Sequence, residues 1–295
     1  MGSRVGLVVN PTSGKNRGAV VGAEVAARLS MAGHEVLDLS GLSAASAAEK
    51  ARIAIGEGID VLAVTGGDGM VHLGVNLCAG TKVPLAIVAA GTGNDFAEAL
   101  GLPIQDPASA VDIISRGITR NVDAVRSVTP TGGAQWFAGV MGAGFDALVN
   151  ERANRWTWPK GQMRYNLAML RELPVFKPIP YAVEVDGVRH ETEAMLVAVG
   201  NGTSYGGGMK VTPDAELDDG LADVLILHRI SVPAFLRVFP KVYSGAHVTH
   251  PAVEILRGRR VRLEAAGIVA YADGERFAPL PLELEVVPGA LTVLT

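Results

Sequence analysis

Glycines and aspartates occur together in this chain at places where phosphate chemistry can be carried out. Segment 65–70 reads Thr-Gly-Gly-Asp-Gly-Met and follows the apolar run 61–64. An apolar run that ends in glycines predicts a buried parallel strand that continues into a tight turn. Backbone N–H groups of such a turn bind anions, and Asp68 among them calls for a cation or a proton-transfer role. A phosphate-bearing ligand with Mg²⁺ meets both requirements, and an ordinary strand-to-helix turn is the alternative.

Two further turns have a similar composition. Segment 10–15 reads Asn-Pro-Thr-Ser-Gly-Lys after the run Val5–Val9, and segment 91–96 reads Gly-Thr-Gly-Asn-Asp-Phe after Leu85–Ala90. Small hydroxyl and amide side chains with a glycine and a lysine suit contact with a phosphate or a nucleotide. The first turn lacks the spacing of a Walker A loop. Neither 66–69 nor 91–96 has the pattern Gly-x-Gly-x-x-Gly leading into a helix, so a dehydrogenase is disfavoured.

Three aspartates, Asp68, Asp95 and Asp123, are candidates for holding Mg²⁺ directly or through water. Mg²⁺ keeps most of its waters in proteins and takes few carboxylates. Phosphoryl transfer needs such a metal, backbone donors around the phosphate and a base for the attacking hydroxyl. Helix capping or a turn is the alternative for any one aspartate, and it is less favoured for three at one edge of a sheet.

The first third of the chain alternates between strand-like and helix-like segments, which predicts a parallel sheet with helices on both faces. The predicted strands are Val5–Val9, Glu35–Leu39, Val61–Val64 and Leu85–Val88, and the predicted helices are Ala19–Ala32, Ser43–Gly56 and Val71–Ala79. Ligands of such sheets bind beyond the carboxyl ends of the strands, where the three turns would lie.

From about residue 125 strand-like segments follow one another without long helices, which predicts an antiparallel β-sandwich or flattened barrel. The predicted strands are Trp136–Met141, Tyr181–Val185, Ala194–Gly200, Ala222–Leu227, Val261–Glu264, Ile268–Ala272 and Leu282–Val287. Helical spacing recurs near 162–173 and over Pro233–Ser244. We expect a first domain of residues 1–125, to which the segment 288–295 with a final strand Leu291–Leu294 returns, and a second domain of residues 126–287.

Composition excludes several classes of protein. The chain has 295 residues, of which 48% are hydrophobic and 19% charged, so disorder is excluded. The net charge of −4 argues against bulk nucleic-acid binding. The single cysteine, Cys78, has helical apolar neighbours and is expected to be a core residue. We see no secretory signal at the start and no apolar run of membrane-spanning length, which predicts a cytoplasmic protein with only peripheral membrane contact.

Four motifs together resemble the diacylglycerol kinase catalytic family, which includes bacterial diacylglycerol kinases and the sphingosine and ceramide kinases. The motifs are 10–15, 66–69, 91–97 and Asp273-Gly274-Glu275, in the order and spacing of that family. The likeness runs from residue 5 to about residue 280, and segment 142–165 also resembles soluble diacylglycerol kinases of actinobacteria. It implies an α/β protein with a parallel three-layer nucleotide-binding domain, similar to those of phosphofructokinases and NAD kinases, followed by an antiparallel β-sandwich domain.

The same resemblance implies particular sites. The residues expected to contact ATP are Asn10, Pro11, Thr12, Ser13, Gly14, Ser40, Gly66, Gly67, Asp68, Gly69, Met70, Val71, His72 and Thr92. Asp68, Asp95 and Asp123 are expected to form a Mg²⁺–water network. Asp273 or Glu275 is expected to take the proton of the lipid hydroxyl, with Asp68 as the next candidate. Met70, His72 and Leu73 differ from the residues usual in the family, so backbone contacts are expected there rather than side-chain contacts.

A second metal is implied in an acidic loop before Gly220. The resemblance points to a structural Mg²⁺ held by Glu216, Asp219 and the carbonyl group of Leu221. Oxygen ligands near a sharp turn suit this cation, and a solvated acidic turn is the alternative.

Two basic stretches, 152–177 and 229–262, are candidates for membrane contact. The first contains Arg155, Trp156 and Trp158, and tryptophans beside cations fit the headgroup layer of an anionic membrane. We therefore expect peripheral association with the inner face of the plasma membrane. A structural surface or a homodimer interface is the alternative for the first stretch.

These patterns predict an ATP-dependent lipid kinase that phosphorylates diacylglycerol to phosphatidic acid. A kinase of a sphingoid base, ceramide or another lipid alcohol is the nearest alternative. A nucleotide-gated regulator without catalysis is a second alternative, and the intact Asp273-Gly274-Glu275 argues against it.

Overall fold

The computed structural model describes residues 2–128, 133–145 and 177–295, together with the single residues 149, 167 and 171. The chain divides into two compact units. Unit 1 comprises Met1–Ala124 with Pro288–Thr295, and unit 2 comprises Val125–Val287. The predicted helix near 162–173 falls mostly outside the described residues, and so does the stretch with Arg155, Trp156 and Trp158.

Helices and strands alternate in the first part of the chain, and strands predominate after it. In chain order they are β1 (Arg4–Val9), α1 (Ser13–Asn16), α2 (Gly18–Met31), β2 (Glu35–Asp38), α3 (Ala44–Gly56), β3 (Val61–Gly66), α4 (Asp68–Cys78), β4 (Leu85–Ala89), α5 (Asp95–Ala99), α6 (Pro107–Arg116), β5 (Thr119–Val128), β6 (Ala134–Phe137), β7 (Val140–Gly144), β8 (Ile179–Val185), β9 (Val188–Gly200), β10 (Ala222–His228), α7 (Val232–Val238), β11 (Val253–Gly258), β12 (Arg260–Glu264), β13 (Val269–Ala272), β14 (Glu275–Pro279) and β15 (Leu282–Leu294), with 3₁₀ turns at Phe239–Ser244 and Ala246–Thr249.

Unit 1 is built on a parallel sheet in the order β2-β1-β3-β4. The end of β15 extends it, with Val293 opposite Leu85. β3 and β4 are buried along their whole lengths because helices cover both faces of the sheet. Residues of α2 and α6 share one core with the strands, while α3 and α4 contact each other and β1 and β3. The predicted three-layer α/β arrangement is confirmed.

The strand-to-helix junction at Gly66 differs from the prediction. β3 continues through Gly66 and α4 begins at Asp68, three residues before the predicted start at Val71. Gly67 caps the helix, and its carbonyl group accepts hydrogen bonds from Met70 and Val71 at 2.9 and 3.2 Å. Gly67 alone therefore separates β3 from α4, where a longer turn was predicted. Asp68 belongs to the helix because a carboxylate is favourable in the first turn of a helix.

Unit 2 is built on antiparallel strands in the order β14-β13-β7-β9-β8-β12-β15, and β10 joins β9 to β11. Two hydrophobic clusters pack against these strands. One includes Phe137, Val183 and Leu263, and the other includes Phe145, Leu225 and Phe235. Consecutive residues of β9 contribute to different clusters, as the two-residue period of a strand requires. The predicted antiparallel β-sandwich is confirmed.

Several element boundaries were predicted wrongly. The strand predicted over Trp136–Met141 is two strands, β6 and β7, separated at Gly139. The two strands predicted near the C-terminus are one continuous strand, β15. The helix predicted over Pro233–Ser244 is the short α7 followed by a 3₁₀ turn. The elements that were not predicted are α1, α5, α6, β5, β11 and β14.

The missed helix α6 had recognisable end signals. Asp106 caps its first turn by accepting a hydrogen bond from the Ser109 N–H at 3.1 Å, Pro107 occupies the first helical position, and Gly117 ends it in the left-handed conformation. Aspartate, proline and glycine at these positions are the usual boundary residues of a helix.

Within the described residues, none of the helices has the length and apolar composition that crossing a membrane requires.

Candidate functional site

The three glycine turns meet at the carboxyl edge of the parallel sheet. The Asn10 N–H donates to the Thr65 carbonyl oxygen at 3.1 Å, which joins the first turn to β3. The Ala90 N–H donates to the Gly66 carbonyl oxygen at 2.8 Å, which joins the second turn to the third. The first and third turns are also in contact, since a Cβ on Gly14 would overlap the Ala90 carbonyl oxygen. The structure thus brings together all three segments at one edge.

The first turn is folded by its own side chains. The Asn10 carboxamide oxygen accepts hydrogen bonds from the Thr12 N–H and hydroxyl at 3.1 and 2.9 Å. The Ser13 hydroxyl donates to the Asn10 carbonyl oxygen at 3.0 Å, and the short helix α1 begins there. Polar groups that bond their own backbone favour such turns over a continued strand.

Asp68 lies in the first helical turn of α4, and it contacts the glycine-containing segment 91–96. Its Oδ2 accepts a hydrogen bond from the Asn94 N–H at 2.9 Å. The first N–H groups of an α-helix have no acceptor within the helix and attract anions. The carboxylate therefore lies where phosphate oxygens and a cation would be expected together.

The other two candidate carboxylates of unit 1 are both buried. Asp95 is in the first turn of the short helix α5 and is 5% exposed. Asp123 lies on β5 and is 2% exposed, and its Oδ1 accepts a hydrogen bond from the Gly289 N–H at 2.8 Å. Among the described residues, no three or more histidine, cysteine, aspartate or glutamate side chains group closely enough to hold a metal ion.

Ser40 lies beside the first turn. Its hydroxyl accepts a hydrogen bond from the Val9 N–H at 3.1 Å. A cavity of about 570 Å³ adjoins it between α2 and the strands β1 and β2, with Pro11, Gly22 and Asp38 also in its wall. Hydrogen bonds from the Ser40 hydroxyl and N–H lower the pKa of Asp38, so this carboxylate is ionised at neutral pH.

The remaining predicted nucleotide contacts differ in what their side chains do. Val71 is buried in the core at 3% exposure, so only its backbone can reach a ligand. The His72 ring is partly buried and accepts or shares a hydrogen bond with the Asn76 carboxamide nitrogen at 3.2 Å. Met70 is partly buried, and Thr92 is exposed. The contacts of residues 70–72 with a nucleotide stay a prediction.

Asp273-Gly274-Glu275 forms a β-hairpin turn in unit 2. Asp273 and Gly274 have φ angles of 51° and 83°, and Ala272 pairs with Glu275 across the turn. Two consecutive left-handed residues make the tight turn that matches the twist of paired strands, for which Asp-Gly is a preferred sequence. The Asp273 Oδ1 accepts a hydrogen bond from the Gly139 N–H at 3.0 Å, and Glu275 is exposed.

The acidic loop of unit 2 is paired with an arginine. Arg257 donates to Asp223 at 2.7 Å and to the Oδ2 of Asp219, whose Oδ1 accepts from the Leu221 N–H at 2.9 Å. Burial raises the pKa of Asp223, and the Arg257 guanidinium opposes this shift. Both oxygens of Asp219 therefore have partners within the protein, and Glu216 is exposed. The contacts do not fit a cation held by Asp219 as it stands, so the structural Mg²⁺ remains a prediction.

The comparisons with known proteins cover both units. The sequence profile of the diacylglycerol kinase catalytic domain matches residues 4–127, and that of the YegS C-terminal NAD kinase beta sandwich-like domain matches residues 139–295. A diacylglycerol kinase of Mycobacterium tuberculosis is 41% identical over 292 residues, which cover 99% of this chain and 94% of that protein. The chain belongs to the diacylglycerol kinase family. A diacylglycerol kinase of Bacillus subtilis is 30% identical, covering 95% of this chain and 92% of that protein.

Solved structures of the diacylglycerol kinase family and of an NAD kinase share the fold. The crystal structure of a diacylglycerol kinase from Bacillus anthracis superposes with a TM-score of 0.77 at 25% identity, covering 99% of this chain and 96% of that chain. An NAD kinase from Archaeoglobus fulgidus in complex with ATP superposes with a TM-score of 0.56 at 13% identity, covering 99% and 93%. The second likeness concerns the fold alone.

Unit 2 of this diacylglycerol kinase family member contains a small apolar cavity of about 80 Å³. Its walls come from β9, β10, α7 and the following 3₁₀ turns, and include Tyr205, Leu225, Phe235, Phe239 and His247. Phe145 meets Phe235 edge to face with ring centroids 5.8 Å apart, and Phe235 stacks on Phe239 at 5.5 Å. The cavity has room for a short apolar segment.

Two residues beside Asp68 had no role in the sequence interpretation. Asn94 donates its N–H to the carboxylate, and a Cβ on Gly93 would overlap the Asp68 Oδ2. The signal was present in the sequence, because an asparagine after a glycine is common in the left-handed conformation that Asn94 adopts at φ 92°. The sequence could not show that its N–H points at a residue 26 positions earlier.

Proposed function

We propose that this protein transfers the γ-phosphate of ATP to the hydroxyl group of diacylglycerol, which gives phosphatidic acid and ADP. The observation that carries the proposal is the meeting of the three glycine-containing segments at the edge of the sheet where Asp68 lies. It occurs in a chain that is 41% identical, over 99% of its length, to a protein named diacylglycerol kinase.

Unit 1 supplies the nucleotide site in this proposal. The start of α4 presents its first backbone N–H groups at this edge of the sheet, where phosphate oxygens are favoured, and the turn 10–15 lies at the same edge. The cavity beside Pro11 and Ser40 has a volume of about 570 Å³, within the range of small-molecule sites, and receives the adenosine part. Thr92 in the third turn completes the set of contacts.

The carboxylates of unit 1 suit Mg²⁺ in their chemistry. Asp68, Asp95 and Asp123 offer carboxylate oxygen atoms as metal ligands. Mg²⁺ is commonly bound by one or two carboxylates together with substrate phosphates. A cluster of three protein acids is therefore not required. Bound there with ATP, Mg²⁺ would neutralise charge on the phosphate oxygens during transfer.

The transfer step requires a base for the lipid hydroxyl. The hydroxyl oxygen forms a bond to the γ-phosphorus while the bond from that phosphorus to the β-phosphate oxygen breaks, so that ADP leaves. The hydroxyl proton passes to a carboxylate, for which Glu275 and Asp273 are the candidates and Asp68 the next one. Glu275 is exposed, whereas Asp273 also holds the Gly139 N–H.

Conservative amides at the hairpin test the base. We expect Glu275→Gln, and separately Asp273→Asn, to lower transfer to lipid by about 100-fold or more while Mg·ATP still binds. The amide oxygen in Asp273→Asn can still accept the Gly139 N–H, so the turn is kept. Calorimetric titration of Mg·ATP beside a lipid phosphorylation assay measures both effects.

Asp186→Asn is the matched control for the hairpin variants. Asp186 and Gly187 form the turn between β8 and β9 with φ angles of 48° and 86°, and the Asp186 carboxylate also accepts backbone N–H groups. This variant should keep the parent rate. If the variants at 273 and 275 also keep it, the base lies elsewhere and Asp68 becomes the leading candidate.

Unit 2 supplies the lipid contact in this proposal. Its apolar cavity, lined by Phe235, Phe239 and neighbouring aliphatic side chains, would receive a short part of an acyl chain. Burial of apolar surface is favourable at about 25 cal/mol per Å². We expect Leu225→Phe, which fills the cavity, to raise KM for long-chain diacylglycerol more than for a short-chain, water-dispersed one.

Membrane contact at the inner face of the plasma membrane is part of the same proposal. The stretch 152–177 remains its main candidate. Of the second basic stretch, Arg257, Arg260 and Arg262 form ion pairs with carboxylates of neighbouring residues, which reduces its positive charge. Replacing Arg155, Trp156 and Trp158 with alanine should weaken binding to anionic vesicles, as added salt should in the parent protein. Unaltered vesicle binding would instead favour a structural role or a homodimer interface.

A panel of lipids with radiolabelled ATP tests the substrate. The proposal expects labelled phosphatidic acid from diacylglycerol, in a reaction that needs Mg²⁺. Label appearing only in sphingosine phosphate or ceramide phosphate would show the alternative kinase. Binding of ATP without transfer to any lipid would favour the nucleotide-gated regulator.

The structural Mg²⁺ at Glu216, Asp219 and Leu221 has a separate test. If it binds, Mg²⁺ should raise the melting temperature of the nucleotide-free protein, and Asp219→Asn should abolish the increase. An increase that persists in Asp219→Asn, or is absent in the parent, would contradict a metal at this carboxylate and leave it with its contacts to Arg257 and to the Leu221 N–H.

A further inference from the structure

Asn94 occupies an unusual backbone conformation next to Asp68. It is 2% exposed and has a φ of 92°, in the left-handed region. This region costs residues with a Cβ about 1–2 kcal/mol, and asparagine is among the few that adopt it regularly. A strained conformation persists only where its surroundings hold it.

The Asn94 side chain holds that conformation by clasping Gly91. Its Oδ1 accepts a hydrogen bond from the Gly91 N–H at 3.0 Å, and its Nδ2 donates to the Gly91 carbonyl oxygen at 3.2 Å. Both polar groups of the carboxamide are thus used within the third turn. The clasp closes the turn between β4 and α5 into a compact unit.

The clasped turn directs the Asn94 backbone N–H at the Asp68 carboxylate. The N–H donates to Oδ2 at 2.9 Å, and the same oxygen occupies space that a Cβ on residue 93 would need, which only a glycine leaves open. A hydrogen bond from a backbone N–H to an ionised carboxylate is among the stronger kinds in proteins. One oxygen of Asp68 is therefore held by the third turn, which restricts the orientation of the carboxylate.

We propose that Asn94 is a positioning residue for phosphoryl transfer. The hydrogen bonds of its side chain to Gly91 keep its backbone in the left-handed conformation, and in this conformation its N–H binds and orients the Asp68 carboxylate. This inference rests on the proposed function in that Asp68 acts on Mg·ATP. A misplacement of about 1 Å in a catalytic group can lower a rate by about 100-fold. The role is in turnover rather than in nucleotide affinity.

Two substitutions separate the backbone role from simple packing. In Asn94→Ala the clasp is lost and the left-handed conformation is disfavoured, so kcat should fall by about 10- to 100-fold with little change in KM for ATP. Asn94→Gly also loses the clasp, but glycine adopts φ 92° freely and keeps the N–H. It should therefore turn over several times faster than Asn94→Ala. A packing role predicts the opposite order, because glycine leaves the larger void.

A spectroscopic readout does not depend on the lipid acceptor. The amide proton of Asn94 should lie downfield in the NMR spectrum of the parent and move upfield in Asp68→Asn, because an ionised acceptor is replaced by a neutral one. Asp186→Ala is the control, because it removes a carboxylate that accepts backbone N–H groups at another left-handed residue. In this variant the Asn94 amide signal and kcat should stay unchanged.

The outcomes distinguish this inference from the proposed function. Absence of transfer to every lipid, with the upfield shift present, would refute the function and leave the Asn94–Asp68 link established. An unchanged Asn94 amide signal in Asp68→Asn, or a glycine variant as slow as the alanine variant, would overturn the positioning role whichever lipid is phosphorylated.

Discussion

Asp68 shows how closely one side chain of the site is surrounded. The Asn94 N–H holds its Oδ2 at 2.9 Å, and Gly93 lies so near that a Cβ would overlap the same oxygen. Gly93 does not have a positive φ, so a left-handed conformation is not the reason for a glycine at this position. The absence of a side chain there serves the space around the carboxylate rather than the conformation of the turn.

Gly93→Ala tests that interpretation. We expect the added methyl group to push the carboxylate aside and lower kcat by about 10- to 100-fold, as misplacement of a catalytic group does. Gly56→Ala is the matched control, because a Cβ at Gly56 meets no atom within 4 Å. Melting temperatures measured beside the kinetics should stay near the parent value in both variants. Parent-like turnover in Gly93→Ala would show that the carboxylate has another way to adjust.

At the scale of elements, the helical segment 232–249 covers the second hydrophobic cluster of unit 2. From this segment, the side chains of Phe235 and Val242 are buried, and His247 is 6% exposed. The Nε2 atom of His247 lies 3.1 Å from the Val211 carbonyl oxygen. A carbonyl oxygen only accepts, so Nε2 carries the proton in this contact. Burial lowers the pKa of His247 from its ordinary value of 6.5.

The lowered pKa of His247 makes unit 2 sensitive to acid. As the pH falls below about 6.5, the unfolded chain binds a proton that the buried ring resists, so the free energy of unfolding decreases. Stability from this group is present at neutral pH and is lost towards pH 5. Denaturant titrations at several pH values should show a shallower pH dependence in His247→Gln than in the parent.

His190→Gln provides the comparison for the acid sensitivity. His190 lies on β9 and is only partly buried. The free energy of unfolding of His190→Gln should therefore depend on pH more nearly as in the parent than that of His247→Gln does. Equal slopes in the parent and in His247→Gln would assign the acid sensitivity to other groups.

At the scale of the whole molecule, the chain completes unit 1 with its last residues. Residues 288–295 follow all of unit 2 in the chain, yet Leu291 and Val293 are fully buried and Leu294 is 2% exposed. The Gly289 N–H donates to Asp123, and the Gly80 N–H donates to the Ala290 carbonyl oxygen at 2.8 Å. The folding of unit 1 therefore depends on residues that follow unit 2 along the chain.

Removal of residues 288–295 should destabilise unit 1 strongly. Full burial of an aliphatic side chain contributes about 1.5–3 kcal/mol, and three such side chains approach the net stability of a domain. We expect the truncated protein to lose cooperative thermal unfolding of unit 1 and binding of Mg·ATP. Leu294→Ala should cost about 2–5 kcal/mol, and deletion of Thr295 alone should have little effect. A truncated protein that melts as the parent does would contradict this dependence.

The sequence by itself determined the fold class and the segments of the site. Apolar runs that end in glycines specify buried strands and turns through local backbone geometry, and the order of the strands places the turns at one edge. The same local reasoning found the start of β13 within one residue. Where the local pattern was weak, as in the five-residue helix α5 and the edge strand β14, the elements were missed.

Only the tertiary structure decided which polar atoms meet. Asn94 and Asp68 are 26 positions apart, and Asp123 and Gly289 are 166 apart. Arg257 proved to be the partner of Asp219, in a loop where the sequence suggested a cation. Periodicity and turn chemistry report on neighbours along the chain, whereas a hydrogen bond depends on the positions of atoms to within a few tenths of an ångström. Those positions arise from the packing of distant segments, so the orientation of Asp68 could be obtained only from the folded chain.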